Sequence, residues 1–233
     1  MWSSASDVEL FSHTEKKPPT VTEIVSIADD GPPLARRALE RCARDGGVAI
    51  FPADTVYGIA CDPGRLDAIE RIYALKGRAD SKPSAVMFFS PLAMRELVSS
   101  LGPRTRDALG ALLPGPVTLV VANPERLYAN AGRENPERLG IRLIDGPLAG
   151  AACALFQTSA NLSGAGSVAR FEELDAAMLG GADLAIDGGE LGGEASTVVD
   201  LSEIEDGRWG VLREGAMRRS ELERRLEAAG LIS

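Results

Sequence analysis

Short apolar runs alternate with amphipathic helical patterns along nearly the whole chain, and this alternation restricts the fold more than any other feature. The runs "VAIF" at 48–51 and "VTLVVA" at 117–122 have the length and apolar content of buried strands. Helical patterns lie between such runs, and no linker-like segment or internal repeat interrupts the order. The alternation predicts one α/β domain built on a large sheet.

Apolar spacing and helix end signals predict the individual elements. Pro32 and Pro33 open the first helix, Gly46 and Gly47 end it, and Ser220 is the expected N-cap of the last helix. Strands are predicted at 48–51, 85–89, 117–122, 140–144, 183–187, 196–202 and 209–213, and helices at 34–45, 66–75, 92–100, 104–113, 147–156, 171–181 and 221–229.

Two further expectations concern the sheet and its covering helices. A short turn joins the strands at 196–202 and 209–213, so part of the sheet is expected to be antiparallel and the sheet as a whole mixed. The residues between 52 and 65 are predicted to form a polar turn. Inward-facing helix residues are predicted by their spacing, namely Leu34, Ala38, Leu39, Cys42, Leu66, Ile69, Ile72 and Tyr73.

Length and composition exclude several classes of protein. The 233 residues suffice for one substantial core, and 45% hydrophobic with 25% charged residues is typical of globular domains. No apolar stretch is long enough to span a bilayer, and a net charge of −9 disfavours nucleic acid as a general partner. Residues 1–22 lack the apolar core of a signal peptide, so we expect a poorly ordered extension before a domain at 23–218 and a C-terminal helix at 219–233.

The cysteines and the histidine limit the chemistry. Cys42, Cys61 and Cys153 show no CxxC spacing, which disfavours a disulfide framework or zinc site and fits a cytoplasmic protein. The single histidine, His13, lies in the polar N-terminal extension, where a solvated side chain is the ordinary interpretation. Nucleophilic catalysis by a Ser-His or Cys-His pair is therefore disfavoured.

Polar segments follow many of the apolar elements, and two of them suggest a nucleotide site. "KGRADSK" places Lys76, Arg78 and Lys82 in one short segment, and such cations suit a polyphosphate, although Lys76 alone would also fit a helix C-terminus. "TSANLSG" at 158–164 supplies neutral hydroxyl and amide groups that suit phosphate or ribose oxygens. Any one segment could be an ordinary turn, but loops at strand ends converge in open α/β sheets.

Other motifs carry less information. GxxxxGK[ST] and GxGxxG are both absent, which excludes a P-loop enzyme. The glycine-rich segment 188–195 could be a lid or a loose turn. Asp54, Asp145 and Asp187 could hold a magnesium ion, but their spacing does not show it, and we assign no metal site.

In combination, these segments resemble the YrdC-like threonylcarbamoyl-AMP synthases from about Leu34 to Ala216. The resemblance rests on ordered blocks, with Lys76/Arg78 and Ser159/Asn161 as the paired KxR and SxN signatures. The other blocks are "FPADTVYGIACDP", "LLPGPVTLVV", "GIRL", "GGEASTVVDLS" and "GVLREGA". The resemblance implies a twisted, open α/β sheet with a concave, positively lined cavity, here in the short, single-domain form.

The resemblance also implies a reaction and its participants. L-threonine, bicarbonate and ATP, with Mg²⁺ carried by ATP, would give threonylcarbamoyl-AMP and pyrophosphate. The product would pass to a downstream transfer enzyme for the N6-threonylcarbamoyl modification of adenosine beside the anticodon of tRNA. Positioning and electrostatic stabilisation would suffice, so the lack of a histidine base is no obstacle.

Residue roles follow from the same resemblance. The expected catalytic residues are Lys76, Arg78, Ser159 and Asn161; the ATP-binding residues are Arg78, Lys82, Ser159, Ser167 and Arg213; and the threonine-binding residues are Thr55, Thr118, Arg142 and Ser196.

The sequence departs from the family pattern at several positions. Ala53-Asp54-Thr55 stands where "TET" is usual, Ala79 and Ser84 replace a usual proline and apolar residue, and Met87 replaces a histidine that many members carry near the threonine site. The departure at Met87 concerns threonine recognition more than ATP binding.

Three alternatives compete with the synthase. A non-catalytic double-stranded RNA or tRNA binder is disfavoured by the acidity of the chain and its few aromatic residues. A carbamoyl-adenylating module of the hydrogenase-maturation type is disfavoured by the absence of partner domains and zinc-binding cysteines. A globular α/β protein with unremarkable loops does not account for so many ordered blocks. The sequence therefore favours the synthase.

Overall fold

Ten strands form one continuous sheet in the computed structural model, which describes residues 21–77 and 84–232. The spatial order is β1-β8-β2-β3-β7-β4-β6-β5-β9-β10. In chain order the strands are β1 Glu23–Ser26, β2 Ala49–Pro52, β3 Tyr57–Cys61, β4 Ala85–Phe88, β5 Val117–Ala122, β6 Arg138–Leu143, β7 Ala154–Ser159, β8 Leu184–Asp187, β9 Thr197–Asp200 and β10 Gly210–Arg213.

In the described ranges, eight α-helices flank the sheet or lie in its connections. They are α1 Ile27–Asp30, α2 Pro32–Arg44, α3 Leu66–Leu75, α4 Arg95–Ser100, α5 Pro103–Leu112, α6 Ala129–Gly132, α7 Ala176–Gly181 and α8 Arg219–Ala228. None of the helices in the described ranges is long and apolar enough to cross a bilayer.

The sheet mixes both pairings, as predicted. Four pairs are parallel, namely β1 with β8, β2 with β8, β4 with β6, and β5 with β9. The remaining pairs are antiparallel, including the predicted β9–β10 pair. The architecture is therefore an open mixed sheet with helices, which confirms the predicted fold class.

Strand side chains divide between two core clusters because successive residues point to opposite faces of a sheet. Ile50 and Ile59 lie in the first cluster, where α3, α5 and α8 also contribute buried side chains. Ala49, Phe51 and Ala60, on the same two strands, lie in the second cluster, which contains the buried side of α2 and the segment around Leu148.

The second cluster covers only half of its face. It takes side chains from β1, β2, β3, β4, β7 and β8, but no described residue of β5, β6, β9 or β10 belongs to it. Met87 on β4 marks the border, since it is buried in the cluster and pairs in register with Arg142 of β6. Beyond Met87 no described side chain of the second cluster covers this face of the sheet.

Two predicted segments have a different structure. The residues 147–156 were predicted as a helix, but β7 begins at Ala154 and pairs with β3 and β4, so the helix prediction is wrong. The alternation of Leu155 into the second cluster with Phe156 into the first is a strand pattern that the alanine content concealed. Likewise the polar turn expected at 52–65 contains β3, whose Tyr57 and Ile59 fill the first cluster.

Smaller differences concern helix faces and ends. Leu34 and Leu66 were predicted to face inward but are 39% and 45% exposed, because the buried sides of α2 and α3 are centred on Leu39 and Ile69. The last helix begins at Arg219, so Ser220 lies inside it and is not its N-cap. The helix predicted at 171–181 is interrupted, because Asp175 caps a new helix by accepting hydrogen bonds from the backbone of Ala177 and Met178.

Candidate functional site

A cavity of about 460 Å³ lies on the uncovered half of the second face. Its floor comes from β5, β6, β7, β9 and β10, and its rim includes Ser84 and Ser167. Three arginines line it, Arg138, Arg142 and Arg213, and none of the described lining residues is a carboxylate. An acidic chain thus encloses a cationic cavity, which suits an anionic ligand.

Strand β6 explains why two of these arginines share the cavity. Arg138, Gly140 and Arg142 alternate with Leu139 and Ile141, whose side chains are buried in the first cluster. The cavity-facing set therefore presents a guanidinium at each end with a glycine between them. The glycine leaves the floor open at the point where a side chain would separate the two charges.

Arg142 is the most enclosed cation of the cavity, with a side chain only 5% exposed. It forms a hydrogen-bonded ion pair with Asp54, whose side chain is 17% exposed. The Arg142 Nε and the Thr55 Oγ1 are buried without a hydrogen-bond partner among the described residues. Buried polar atoms are ordinarily paired, so these two atoms have unused capacity to bind a polar ligand.

Backbone hydrogen bonds hold the turn that carries Asp54 and Thr55. The Ala53 amide donates to the Val56 carbonyl at 3.2 Å, and the Gly193 amide donates to the Thr55 carbonyl at 2.8 Å. The Tyr57 hydroxyl donates to the Gly189 carbonyl at 2.8 Å. Burial raises the pKa of Tyr57 to about 12, so this hydroxyl keeps its proton. The glycine-rich segment is thereby tied to the turn in this conformation.

Strands β9 and β10 place Ser196 and Arg213 beside Thr118 of β5. The Thr118 and Ser196 hydroxyls lie 3.0 Å apart, and Arg213 Nη2 donates to the Ser196 carbonyl at 2.7 Å. Burial and the nearby charge of Arg142 lower the pKa of Arg213. Gly215 permits this arrangement, because a Cβ at that position would overlap the Ala195 carbonyl oxygen.

The segment 157–167 forms another side of the cavity. Thr158, Ser159 and Ser167 line it. The Ser159 hydroxyl donates to the Asn161 side-chain oxygen, and the Asn161 amide donates to the Ala165 carbonyl at 2.6 Å. These bonds stabilise a compact loop whose hydroxyl groups face the space that a ligand would fill.

Lys76 lies behind this loop rather than in the cavity lining. Its side chain is buried, and Nζ donates to the carbonyls of Ser159 and Asn161, the latter at 2.7 Å. The Lys76 carbonyl in turn accepts from the Ser163 amide at 3.0 Å. In this conformation Lys76 therefore orients the loop.

The predicted site residues have three outcomes. The structure brings Thr118, Arg142, Ser159, Ser167, Ser196 and Arg213 to one cavity. Thr55, Lys76 and Asn161 lie next to that lining through the contacts described above. Arg78, Lys82, Ala79 and His13 lie outside the described residues.

Arg138 is a cavity residue that the sequence analysis did not identify. Its Nη2 binds the Asp200 carboxylate and donates to the Ser202 hydroxyl at 2.8 Å, while its Nε is buried without a partner in the described ranges. Burial would raise the pKa of Asp200, but hydrogen bonds from Arg138 and Ser202 outweigh it and lower that pKa. Its position on the same strand face as Arg142 was the available signal.

The three aspartates considered as magnesium ligands contact different partners. Asp54 binds Arg142, Asp145 accepts from the Gly146 amide and Asp187 accepts from the Gly189 amide. Within the described residues no group of three acidic, histidine or cysteine side chains could hold a metal ion.

The thiols are poor candidates for nucleophiles. Burial raises the pKa of Cys61 and of Cys153 to about 12, so thiolates are scarce at neutral pH. The geometry therefore suits binding and charge stabilisation of a polar, anionic ligand better than covalent catalysis.

Comparison with known proteins identifies the family and the fold. The family model Sua5/YciO/YrdC, described as "Telomere recombination", matches residues 41–215. Threonylcarbamoyl-AMP synthase from Homo sapiens is 36% identical over 193 residues, which cover 78% of this chain and 67% of the relative. A protein of the same name from Nitrosococcus oceani is 38% identical over 134 residues, 55% of this chain and 71% of the relative.

A solved structure shares the fold. P. abyssi Sua5 complexed with L-threonine superposes with a TM-score of 0.76 at 24% identity over 89% of this chain. The matched region is 61% of that protein, so the chain spans less than two thirds of its length.

Proposed function

Because the chain belongs to the Sua5/YciO/YrdC family, we propose that it converts L-threonine, bicarbonate and ATP into threonylcarbamoyl-AMP and pyrophosphate. The observation that carries this proposal is the cationic cavity, whose lining includes six of the residues expected to bind ATP or threonine. The shared name of the mammalian and bacterial relatives supports the same reaction.

Two substitution steps account for the products. The threonine amine attacks bicarbonate, and loss of water leaves a carbamate. The carbamate oxygen then attacks the α-phosphate of ATP and pyrophosphate leaves. Neither step requires a protein nucleophile, so orientation and charge stabilisation are the tasks of the site.

Threonine is assigned to the end of the cavity near Arg142. The guanidinium of Arg142 suits the threonine carboxylate. The hydroxyls of Thr55, Thr118 and Ser196 are the nearby polar groups for the rest of the amino acid. The buried hydroxyl oxygen of Thr55, which has no hydrogen-bond partner in the described part of the chain, supports this placement.

ATP is assigned to the part of the cavity bounded by the 157–167 loop and Arg213. Ser159 and Ser167 supply hydroxyl groups, and Arg213 supplies a charge that stabilises the departing pyrophosphate. Lys76 and Asn161 hold the loop that presents Ser159. Arg78 and Lys82 complete the proposed phosphate site, and Mg²⁺ enters with ATP as part of the substrate.

Compartment, domain and partner assignments complete the proposal. The lack of CxxC spacing among Cys42, Cys61 and Cys153 supports a reducing, cytoplasmic setting. Residues 23–218 form the catalytic unit, against which α8 packs through Leu222 and Leu226. The product passes to a separate enzyme that transfers the threonylcarbamoyl group to tRNA adenosine.

The test is pyrophosphate release from ATP and bicarbonate with L-threonine, with L-serine and without an amino acid. At subsaturating threonine we expect threonine-dependent release that falls about 10- to 100-fold in Arg142→Met, since the lost hydrogen bonds join charged groups. Arg126→Met is the matched control, because Arg126 is 60% exposed and pairs with Glu137 outside the cavity lining.

Two other results would change the assignment. Equal release with serine would mean that the family's usual histidine is needed for threonine specificity and that Met87 relaxes it. No release by folded protein would refute the synthase, and steeply salt-dependent binding of double-stranded RNA would then favour the RNA-binding alternative.

A further inference from the structure

We propose that the Asp54–Arg142 ion pair recognises the zwitterion of the amino-acid substrate. Arg142 binds the α-carboxylate, and Asp54 binds the α-ammonium group before reaction. This assignment rests on the proposed function and adds a substrate-binding residue, Asp54, to it. Arg142 lines the cavity and Asp54 is bound to it, so the pair presents one charge of each sign.

The charge distribution of the cavity requires such a carboxylate. Arg142 and Arg213 are close enough for the charge of one to lower the pKa of the other. An α-ammonium group brought beside them would be repelled unless an anion lay within a few ångströms. No carboxylate is in the described lining, and Asp54 is the carboxylate in direct contact with Arg142.

The second acidic residue near the cavity lies too far along the strand for this role. Asp200 is bound to Arg138. Arg138 precedes Arg142 by four residues on the same strand, a separation of about 13 Å at the rise of an extended chain. An amino acid held by Arg142 therefore has Asp54 as its nearest acidic partner among the described side chains.

Unused hydrogen-bonding capacity marks the same point. The Arg142 Nε is a buried donor without a partner among residues 21–77 and 84–232, and the Thr55 Oγ1, one residue from Asp54, is a buried hydroxyl without one there. An amino-acid carboxylate can accept from the former, and an ammonium group can donate to the latter. A zwitterion satisfies both atoms at once, with its carboxylate at the guanidinium and its ammonium group at the hydroxyl.

Asp54 is held in place and remains reachable. The bonds from the Ala53 and Gly193 amides fix the turn on both sides of it. Its side chain retains 17% exposure, compared with 5% for Arg142. A fixed and partly exposed carboxylate can bind an incoming ammonium group with little reorganisation.

The experiment compares three ligands by calorimetry. L-Threonine carries both charges, 3-hydroxybutanoate lacks the ammonium group and L-threonine amide lacks the carboxylate. We expect the protein to bind L-threonine at least about 10-fold more tightly than either analogue, because each analogue loses a hydrogen bond between charged groups. This comparison needs no variant, so it is independent of any folding defect. Equal binding of L-threonine and 3-hydroxybutanoate would overturn the proposal.

Variants then assign the ammonium contact to Asp54. In Asp54→Asn the affinity for L-threonine should fall about 10- to 100-fold, with 3-hydroxybutanoate and the Michaelis constant for ATP little changed. Asp54→Glu keeps the charge and should retain L-threonine binding within a few-fold. Circular dichroism and thermal unfolding verify that both variants are folded.

The contrary results are distinct. Equal losses for L-threonine and 3-hydroxybutanoate would mean that Asp54 only orients Arg142, and unchanged L-threonine affinity would mean no contact; either overturns the proposal. If the unmodified protein neither binds L-threonine nor releases pyrophosphate with it, the proposed function fails as well. Normal turnover combined with either contrary result would refute the Asp54 contact alone.

Discussion

The two halves of one sheet face share the same alternation of side chains but differ in whether apolar residues cover them. In the covered half, cluster residues such as Phe51 and Ile186 pack beneath α2 and are fully buried. In the open half, the corresponding positions of β6 are Arg138, Gly140 and Arg142. Strand alternation sets which residues point to this face in both halves. Residue type then decides whether the face becomes core or cavity.

The border between the halves is narrow. Met87 on β4 pairs in register with Leu155 of β7 on one side and with Arg142 of β6 on the other. Met87 and Leu155 are buried in the second cluster, whereas Arg142 lines the cavity. The buried guanidinium is therefore supported by close-packed apolar residues, which limit its movement. Changes on the two sides of Met87 should have separable effects on stability and on function.

The largest expected effect on stability is in the covered half. Leu39→Ala removes a fully buried side chain of α2 and should reduce the free energy of unfolding by about 2–5 kcal/mol. Urea denaturation measures it. Leu34→Ala is the matched control on the same helix, because Leu34 is exposed, and should change the free energy by less than about 0.5 kcal/mol. Similar losses in both variants would contradict the packing of α2 described above.

A second prediction separates stability from function in the open half. Arg142→Met leaves the Asp54 carboxylate without its partner, and we expect the free energy of unfolding to fall by about 3 kcal/mol. This value is at the low end for a buried pair because Asp54 keeps some exposure. The double variant Asp54→Leu/Arg142→Met removes both charges. It should recover most of that stability.

Activity should not follow stability in this pair of variants. Threonine-dependent pyrophosphate release should stay lost in the double variant, although denaturation shows it to be stable. Recovery of both stability and pyrophosphate release would mean that the ion pair only maintains the fold. The open half would then not be the binding surface for threonine.

The third prediction concerns acid stability at the other end of β6. The pKa of Asp200 is lowered in the folded protein from its ordinary value of 3.8. The stability that its ion pair provides is thus fully present above pH 3.8 and is lost as the pH falls through the lower, folded value. Asp200→Asn should lower the free energy of unfolding by about 1 kcal/mol at neutral pH. Its further loss of stability at low pH should be smaller than that of the unmodified protein. Unfolding curves between neutral and strongly acidic pH measure it; parallel curves for both proteins would contradict it.

Local patterns were enough to predict much of the covered half. The helix α2 follows from its prolines and apolar spacing, and β5 follows from a run rich in β-branched residues whose bounds match. β3 and β7 were missed because Ala, Gly and Cys side chains fit helices, turns and strands alike. Only the sheet partners of these segments distinguish a strand there.

The open half depended on contacts that a sequence does not reveal. Motif resemblance was sufficient to single out Arg142 and Arg213, both of which line the cavity. Asp54, however, was considered only as a magnesium ligand, because its partner Arg142 lies 88 residues away along the chain. Arg138 is one of twenty-one arginines, and its place in the cavity depends on the β5–β6–β9 order. Long-range pairing of this kind is fixed by tertiary structure rather than by local preference.

The smallest expected effect on stability tests the cavity floor itself. Gly140→Ala adds a methyl group whose carbon would lie 3.4 Å from the Ala85 Cα, an ordinary packing distance. The free energy of unfolding should stay unchanged or rise by up to about 1 kcal/mol, because glycine inside a strand is destabilising relative to alanine. The same methyl group enters the floor between Arg138 and Arg142, so the Michaelis constant for ATP or L-threonine should rise on the order of a few-fold. Leu39→Ala should show the reverse, with lower stability and unchanged Michaelis constants. A Gly140→Ala protein that is destabilised yet kinetically normal would show that this floor serves the fold and not the ligand.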